Sequence, residues 1–338
     1  MNKEFWSEKL TIGNLVIPRF MAAPLDGVTD SPLRQLIRDF CKEELLMTEM
    51  RHVSHVANDK LKRTLKYKEV EQPLAFQFSA NRLEWIEQSV EKVIENGFKL
   101  INLNSGCPSR TVTGSGSGSA LMANIPLLEK LLKEFNRIIG DRVPMTIKIR
   151  AGYKERNAVD VAKAAEAAGV SCIMIHPRTQ PEGFVSRLDF ELTKQVKEAV
   201  KVPVIFSGNV NNFARAEKTY ELTGVDGFMI GRALWGAPWK MREIVENSQG
   251  REFSVDTTTA LDYARRHFYL NKDFYGNSGF SIFKKQLPQY IRSVENAAMW
   301  RKTLLTTQTE EEMRLKLDEL CREYKVEDTA NCATLAQE

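Results

Sequence analysis

Cysteine is scarce in this sequence, and the cysteines that occur are scattered. There are five in 338 residues, and no two of them stand in a Cys-x-x-Cys pair. Disulfide frameworks and structural zinc sites depend on such paired spacing, so neither is expected. The pattern indicates a protein of a reducing compartment, the cytoplasm, without a metal ion.

Long apolar runs are also missing. No stretch approaches the ~18 apolar residues that a membrane-spanning helix requires. The N-terminus carries Lys3, Glu4, Glu8 and Lys9 among its first residues, a charge pattern that does not fit a secretory signal peptide. We therefore expect neither secretion nor association with a membrane.

What is present is typical of a globular protein. The apolar fraction of 43% and the charged fraction of 27% are ordinary values for that class. A chain of 338 residues has room for one large domain and a smaller one. The net charge of +4 permits a nucleic-acid partner without requiring one.

Short apolar runs alternate with amphipathic helical stretches over the first two thirds of the chain. The predicted strands are Arg19–Pro24, Leu45–Met50, Leu74–Phe78, Leu100–Asn104, Met145–Arg150, Cys172–His176, Val204–Ser207 and Gly227–Ile230. Eight such β/α units predict an α/β fold of the (β/α)8 TIM-barrel type. An open doubly wound sheet normally has five or six strands and an early Gly-x-Gly-x-x-Gly motif, and neither is found here.

The composition changes after residue 247. The strand pattern stops, and residues 251–338 are predicted to form a smaller all-α domain behind a barrel domain of residues 1–247. Between Thr257 and Lys302 there are eight Lys or Arg against three Asp or Glu, interleaved with aromatic residues. A solvated helical face and a nucleic-acid surface are both open interpretations of this segment.

Polar residues stand at the carboxyl ends of the predicted strands, where TIM barrels have their active sites. The residues at these strand ends, together with their neighbours, are Pro24, Leu25, Asp26, Glu49, Gln77, Asn104, Cys107, Lys148, Arg150, His176, Arg178, Asn209, Gly231 and Arg232. Gln77 and Lys148 each interrupt an apolar strand, and such a group is costly to bury without a partner. One such residue has a structural explanation, but several at one end of the barrel favour a ligand.

The ends of the last two predicted strands have the features of a phosphate site. Ser207-Gly208-Asn209 and Gly231-Arg232 combine glycines, which let backbone N–H groups approach a phosphate, with a cationic side chain. Tight turns would explain the glycines but not Arg232. The run Gly114–Gly118 lacks the ending of a phosphate-binding P-loop and is interpreted as a mobile lid.

Cys107 lies in a Gly-Cys-Pro turn directly beyond the fourth predicted strand. Three roles are open to it, namely nucleophile, acid and structural thiol. No Asp or Glu lies close to it in sequence, so Lys148 or His176 would have to approach it in space. The residues alone leave these roles undecided.

In this order, the motifs resemble those of the tRNA-dihydrouridine synthases, flavoenzymes that reduce uridine in tRNA. The similarity extends over nearly the whole chain. It is carried by Ala23–Asp30, Gln77, Asn104-x-Gly106-Cys107-Pro108, Lys148-Ile149-Arg150, His176-x-Arg178-Thr179, Gly208-Asn209, Gly231-Arg232 and the helical segment around Gly279–Tyr290. Leu25 and Pro177 depart from the usual residues, and the Gly/Ser-rich run resembles one bacterial subgroup.

The resemblance implies FMN across the barrel mouth and NADPH as the reductant. The residues it implies for FMN are Pro24, Leu25, Asp26, Gln77, Lys148, His176, Ser207, Gly208, Asn209, Gly231 and Arg232. It further implies that hydride passes from the reduced flavin to C6 of the uracil. Cys107 would protonate C5, since a thiol with a pKa near ~8.5 keeps its proton at neutral pH.

The resemblance also implies a tRNA substrate and a monomeric enzyme. Asn104 and Arg178 would orient the base, and Arg150, with Lys148, would stabilise charge on a pyrimidine carbonyl. Lys284 and Lys285 would bind the RNA backbone. Two alternatives remain, namely an FMN barrel that acts on a small molecule such as a pyrimidine base, and a non-catalytic RNA-binding barrel. The residues Lys148, His176 and Arg232 argue against the second.

Overall fold

The computed structural model of the protein describes residues 3–61 and 63–326. Its first elements are α1 (Lys3–Ser7) and an antiparallel hairpin of β1 (Leu10–Ile12) and β2 (Leu15–Ile17). Apolar side chains of the hairpin pack with those of the barrel interior. The hairpin therefore closes the amino-terminal end of the barrel and leaves its carboxyl end open.

Parallel strands form the barrel. They are β3 (Phe20–Ala22), β4 (Leu46–Met47), β5 (Arg51–His52), β6 (Leu74–Ser79), β7 (Leu100–Ser105), β8 (Met145–Gly152), β9 (Cys172–Thr179), β10 (Val204–Ser207) and β11 (Gly227–Ile230). Neighbours follow the order β4-β6-β7-β8-β9-β10-β11-β3, with β5 beside β6. The N–H of Ala22 donates to the carbonyl oxygen of Leu45 at 2.9 Å, so the first and last strands of this order also meet. The predicted (β/α)8 barrel is confirmed.

The second predicted strand, Leu45–Met50, is the least regular. Only Leu46–Met47 pairs before Arg51–His52 resumes the contact with β6. Between them, the hydroxyl of Thr48 accepts the backbone N–H of Gln77 at 3.1 Å, in place of the carbonyl that a regular ladder would use. A single side-chain acceptor thus interrupts the strand, and the apolar pattern of the sequence does not reveal it.

Helices cover the outer face of the barrel. They are α2 (Ser31–Arg38), α3 (Val53–Asn58), α4 (Ile86–Glu95), α6 (Ile125–Ile139), α7 (Ala158–Ala167), α8 (Phe190–Ala199), α9 (Phe213–Thr223) and α10 (Lys240–Ser248), whereas the short α5 (Arg110–Gly114) follows the cysteine turn and has no buried residue. The start of α2 shows how the sequence sets such a helix. Asp30 accepts the N–H of Leu33 at 3.1 Å, and Pro32 occupies a first-turn position where no N–H is needed. The apolar faces of these helices join the outward side chains of the strands in one core.

A helical region, residues 257–326, packs beside the carboxyl end of the barrel. It contains α11 (Thr257–Tyr275), α12 (Gly279–Tyr290), α13 (Ala297–Thr306) and α14 (Glu310–Glu323). Its apolar core includes Leu36 from α2. The hydroxyl of Tyr263 donates to the Asp39 carboxylate at 2.9 Å, and the Gln286 amide donates to the Gly27 carbonyl at 2.8 Å. These contacts hold the helical region against α2 and the loop after β3.

The division into domains of residues 1–247 and 251–338 stays a prediction. In the structure α10 ends at Ser248 and α11 begins at Thr257, and residues 327–338 lie outside the described residues. Within residues 3–61 and 63–326, no helix has the length and apolar character to cross a membrane. The same residues contain no group of three or more His, Cys, Asp or Glu positioned to hold a metal ion.

Candidate active site

A cavity of about 610 Å³ lies at the carboxyl end of the barrel. The predicted residues on its wall are Pro24, Leu25, Asp26, Gln77, Asn104, Cys107, Lys148, Arg150, His176, Ser207, Gly208, Asn209, Gly231 and Arg232. We call the wall built by β6–β9 the floor; it consists of Gln77, Asn104, Cys107, Lys148, Arg150 and His176. We call the wall built by the ends of β10 and β11, α9 and the helical region the rim; it consists of Ser207, Gly208, Asn209, Arg215, Gly231, Arg232 and Arg292.

Lys148 lies in the middle of β8, and its half-buried side chain lines the cavity. Burial, and then the charge of Arg150, lowers the pKa of its ammonium group to about 8, while Cys107 acts in the opposite direction. Within the part of the chain that the structure describes, no hydrogen bond to its side chain is found. A cation that is buried without a partner costs free energy, so this amine is available for a ligand.

His176, on β9, is a neutral acceptor. Its Nδ1 lies 2.6 Å from the carbonyl oxygen of Ser207, which can only accept, so Nδ1 carries the proton. Burial, followed by the charges of Lys148 and Arg150, lowers the pKa of the imidazole to about 2. Its Nε2 is buried and finds no partner among the described residues. It is therefore a free acceptor at the cavity.

The turn that carries Cys107 is fixed by its backbone. The side-chain oxygen of Asn104 accepts the N–H groups of Gly106 at 3.0 Å and of Cys107 at 2.8 Å. The carbonyl of Cys107 accepts bonds from the backbone and the hydroxyl of Ser119, each at 3.0 Å. At Gly118 a Cβ would stand 2.8 Å from that carbonyl oxygen, so only glycine fits there. The thiol is half-buried on a rigid turn.

Arg150, at the end of β8, braces this turn. Its Nε donates to the carbonyl of Gly106 at 2.7 Å, and its Nη1 donates to the carbonyls of Thr179 at 3.0 Å and Gly183 at 3.2 Å. Burial lowers the pKa of the guanidinium to about 10. The arginine remains a cation, and most of its hydrogen-bonding capacity is directed at the protein.

The residues after β3 form the side of the cavity opposite the floor. Pro24 and Leu25 are half-buried, and Asp26 is exposed. A Cβ on Gly231 would stand 3.4 Å from the Cβ of Ala23 and 3.6 Å from a methyl group of Leu25. An added methyl group at Gly231 would therefore make ordinary van der Waals contacts with this side of the wall.

Cations dominate the rim. Arg232 donates to the side-chain oxygen of Asn209 at 2.9 Å, and Asn209 has a left-handed backbone with φ of 51°. Arg215 lies in the first turn of α9, where its N–H is capped by Asn212 at 2.9 Å. Arg292 reaches the cavity from the helical region. Together with the floor, the wall carries five Lys or Arg against one carboxylate, that of Asp26, which favours an anionic ligand.

Arg215, Arg292 and Phe184 are among the wall residues that the sequence analysis missed. Arg215 comes from a helix and Arg292 from the helical region, so neither stands at a strand end. Phe184 comes from the loop between β9 and α8, and its ring centroid lies 4.8 Å from the Arg232 guanidinium and 5.5 Å from that of Arg150. A signal existed only for Arg215, which follows the predicted phosphate loop after β10 at the start of a helix.

Three predicted substrate residues are not on the cavity wall. Arg178 is buried, and its Nε donates to the carbonyl of Ser186 at 2.7 Å. Lys284 donates to the carbonyl of Thr307 within the helical region, and Lys285 is exposed on α12. Arg178 and Lys284 thus have structural partners, and the predicted contacts of all three with a substrate stay predictions.

The parallel strands and the open carboxyl end define a (β/α)8 TIM barrel. The chain is similar to histamine dehydrogenase from Rhizobium sp. 4-9, with a TM-score of 0.57 and 12% identity, over 79% of this chain and 51% of that one. It is also similar to morphinone reductase, with a TM-score of 0.54 and 14% identity, over 75% and 93% of the two chains. At such low identity the similarity shows the fold alone.

The sequence narrows this class to one family. The family model described as "Dihydrouridine synthase (Dus)" matches residues 21–328. The chain therefore belongs to the dihydrouridine synthase family, and the resemblance found in the motifs is confirmed.

Individual relatives agree with the family. A "Probable tRNA-dihydrouridine synthase" of Rickettsia conorii is 32% identical over 301 residues, which is 86% of this chain and 90% of that protein. A "tRNA-dihydrouridine synthase B" of Pseudomonas aeruginosa is 33% identical over 304 residues, 86% of this chain and 89% of that protein. Each of these alignments covers most of both proteins.

Proposed function

We propose that this chain is an FMN-dependent tRNA-dihydrouridine synthase, a cytoplasmic monomer that reduces uridines in tRNA to 5,6-dihydrouridine with NADPH. Family membership and the names of the relatives support the reaction. The observation that carries the proposal is the combination of the half-buried Cys107 thiol with an unpartnered cation and an unpartnered acceptor in one cavity.

The wall residues fit a flavin mononucleotide. The buried Nε2 of His176 lacks a donor, which a ribityl hydroxyl would supply, and the Lys148 ammonium lacks an acceptor, which a ring carbonyl or nitrogen would supply. Gly208 and Arg232, beside the start of α9, would hold the phosphate. At Gly208 a Cβ would meet a methyl group of Leu188 at 2.8 Å, so a larger residue there would displace that side chain.

When bound, reduced FMN supplies the hydride that adds to C6 of the uracil ring. Cys107 gives its proton to C5, so that two hydrogens are added across the C5–C6 double bond, and the thiol is reprotonated from solvent. The hydrogen bonds of Asn104 and Arg150 keep the cysteine turn in position for this transfer. Lys148 and Arg150 stabilise negative charge on the pyrimidine while it is reduced.

The tRNA would reach the cavity past the helical region. A uridine must leave its base stack to enter a cavity at the end of a barrel. The positive charge of residues 257–302 lies beside the opening, and Arg292 from this segment is on the wall. In contrast, α14 carries six acidic side chains against three basic ones and is not suited to the RNA backbone. We therefore infer that α11–α13 bind the tRNA.

A second cavity, of about 190 Å³, extends this basic surface. It lies where the barrel meets the end of α11 and is lined by Arg63, Lys66 and Phe274, and also by Arg51, which is paired with Glu49 on the same wall. Lys66 lies 4.7 Å from the centroid of the Phe274 ring. Cations beside an aromatic ring suit an RNA phosphate and a neighbouring base.

The experiment that tests the proposed function uses the full chain reconstituted with FMN. Unmodified tRNA from a strain that lacks dihydrouridine synthases is incubated with the enzyme and NADPH, with NADH in a parallel reaction, and dihydrouridine is mapped by mass spectrometry. We expect dihydrouridine at defined positions and faster reduction with NADPH. A protein that binds no FMN, or that reduces free uracil but not tRNA, would contradict the proposal.

A further inference from the structure

A chain of buried polar side chains connects the floor residues Gln77 and Asn104 to Asn102 and Thr146 in the barrel interior. Thr146 on β8 donates from its hydroxyl to the carbonyl of Ile101 at 3.1 Å, and it accepts from the amide nitrogen of Asn102 at 2.9 Å. The amide oxygen of Asn102 accepts from Gln77 at 2.8 Å, and the oxygen of Gln77 accepts from Asn104 at 2.8 Å. The chain links the barrel interior to the cysteine turn.

The direction of every bond in this chain is fixed from both ends. At one end, Asn104 must present its oxygen to the backbone N–H groups of Gly106 and Cys107, since these groups can only donate. The amide nitrogen of Asn104 therefore faces Gln77, whose side-chain oxygen must accept the hydrogen bond. At the other end, a backbone carbonyl takes the hydroxyl proton of Thr146, so the hydroxyl oxygen accepts from Asn102.

As a result, the Gln77 amide has a single permitted orientation. If the amide were flipped, its N–H would face the N–H of Asn104 and its oxygen would face the oxygen of Asn102. All three side chains are buried, so these repulsive contacts would be costly. One N–H of Gln77 and one lone pair of its oxygen are left for the cavity. Asn102 and Asn104 thus determine which polar groups of Gln77 face a ligand in the cavity.

We propose that Asn102, together with Thr146, is a positioning residue that orients the Gln77 amide toward the flavin and couples it through Asn104 to the Cys107 turn. Neither Asn102 nor Thr146 lines the cavity, and both are fully buried. The inference rests on the proposed function for its ligand, FMN. Its geometric part, the coupling to Cys107, does not need the flavin.

A purely structural role would have other consequences. Asn102 and Thr146 would then only satisfy one another inside the barrel, and their loss would lower the melting temperature without affecting a folded site. If Asn102 positions Gln77, its loss must change the flavin environment and the cysteine turn in protein that is still folded. These readouts separate the two roles.

The matched variants are Asn102→Leu and Asn102→Asp. Leucine keeps the shape of the side chain but removes the acceptor of Gln77, whereas a protonated aspartic acid accepts from Gln77 and donates to Thr146, as asparagine does. Thr193→Val is the control, because it removes an equally buried hydroxyl that bonds to the Asp189 carbonyl in α8, on the outer face of the barrel. Circular dichroism establishes that each variant is folded.

Two quantities are measured on each folded variant, namely the FMN dissociation constant with the absorbance spectrum of the bound flavin, and the alkylation rate of Cys107 by iodoacetamide in the apoprotein. We expect Asn102→Leu to raise the FMN dissociation constant about tenfold and to shift the flavin spectrum, because one buried hydrogen bond to Gln77 is lost. Its Cys107 alkylation rate should change severalfold. Asn102→Asp should stay within about threefold of wild type, and Thr193→Val should be unchanged.

A folded Asn102→Leu protein with the wild-type spectrum, FMN affinity and Cys107 alkylation rate would overturn the inference. If Asn102→Leu does not fold, Thr146→Val provides the same test with a smaller cavity change. A wild-type protein that binds no FMN would refute the proposed function, while the alkylation rates would still decide whether Asn102 positions the cysteine turn.

Discussion

The floor and the rim of the cavity use polar residues in opposite ways. On the floor, most hydrogen-bonding groups of Asn104 and Arg150 bond to the protein itself, so few groups are left for a ligand and their positions are fixed. On the rim, Arg215 and Arg292 have no side-chain partner among the described residues, and Arg232 bonds to Asn209 alone. The floor is thus organised to hold reacting groups in position, and the rim to attract anions.

This contrast predicts that turnover falls most in variants of Cys107 and Lys148 on the floor, and that binding falls most in variants of the rim. The largest effect is expected for Cys107→Ala. The loss of the acid should lower dihydrouridine formation about a thousandfold while FMN binding is retained. Ser109→Ala is the control, because Ser109 is exposed and its hydroxyl makes no capping hydrogen bond at the start of α5. Turnover close to wild type would remove Cys107 from the reaction.

Lys148→Met should follow, with a loss of about a hundredfold in kcat/KM, because the buried cation that stabilises the reduced pyrimidine is absent. The pKa of Lys148 is about 8, so the wild-type kcat/KM should fall as the pH rises through this value and the ammonium loses its proton. This limb should be missing from the variant. Lys163→Met, at an exposed position on α7, should keep both the rate and the limb; an identical pH profile in Lys148→Met would contradict the assignment.

Arg232→Ala should affect binding in the first place. We expect the FMN dissociation constant to rise about tenfold, through loss of a charge-assisted contact with the phosphate, and turnover to recover at saturating FMN. Fluorescence titration measures the constant, and Arg187→Ala, at an exposed residue before α8, is the control. If the variant stayed slow at saturating FMN, Arg232 would have a role in holding the reacting groups, as the floor residues do, and not only in binding the phosphate.

The smallest effect is expected for Arg292→Ala. Loss of one phosphate contact should weaken tRNA binding about threefold and reduce the salt dependence by about one ion. FMN affinity should not change. Binding measured across a range of salt concentrations checks this, with Lys316→Ala on the acidic helix α14 as the control. Equal salt slopes for Arg292→Ala and wild type would exclude a contact with the RNA backbone.

The same contrast explains what the sequence could and could not predict. The barrel could be predicted from apolar runs, because buried parallel strands are apolar on both faces. The floor could be predicted because the carboxyl ends of the strands meet at one end of the barrel. Arg292 was missed because no local pattern reveals which helix packs beside the opening. The structural partners of Arg178 and Lys284 are the backbone carbonyls of Ser186 and Thr307, and no spacing rule specifies which loop carbonyl a side chain will meet.

The role of Asn104 shows the limit most clearly. The sequence predicted a contact with the base. In the structure its oxygen holds the Cys107 turn and its nitrogen holds Gln77, so one N–H is left for any ligand. A side chain at the right strand end can thus act on the neighbouring catalytic residues, and only the path of the turn reveals this.

The central claim is that Cys107 supplies the proton while the flavin is oxidised by uridine. Rapid mixing tests it most directly, with Cys107→Ala holoenzyme that has first been reduced by NADPH. We predict that NADPH reduces the flavin of this variant at the wild-type rate and that unmodified tRNA then reoxidises it about a thousandfold more slowly. Reoxidation by tRNA at the wild-type rate would contradict the account.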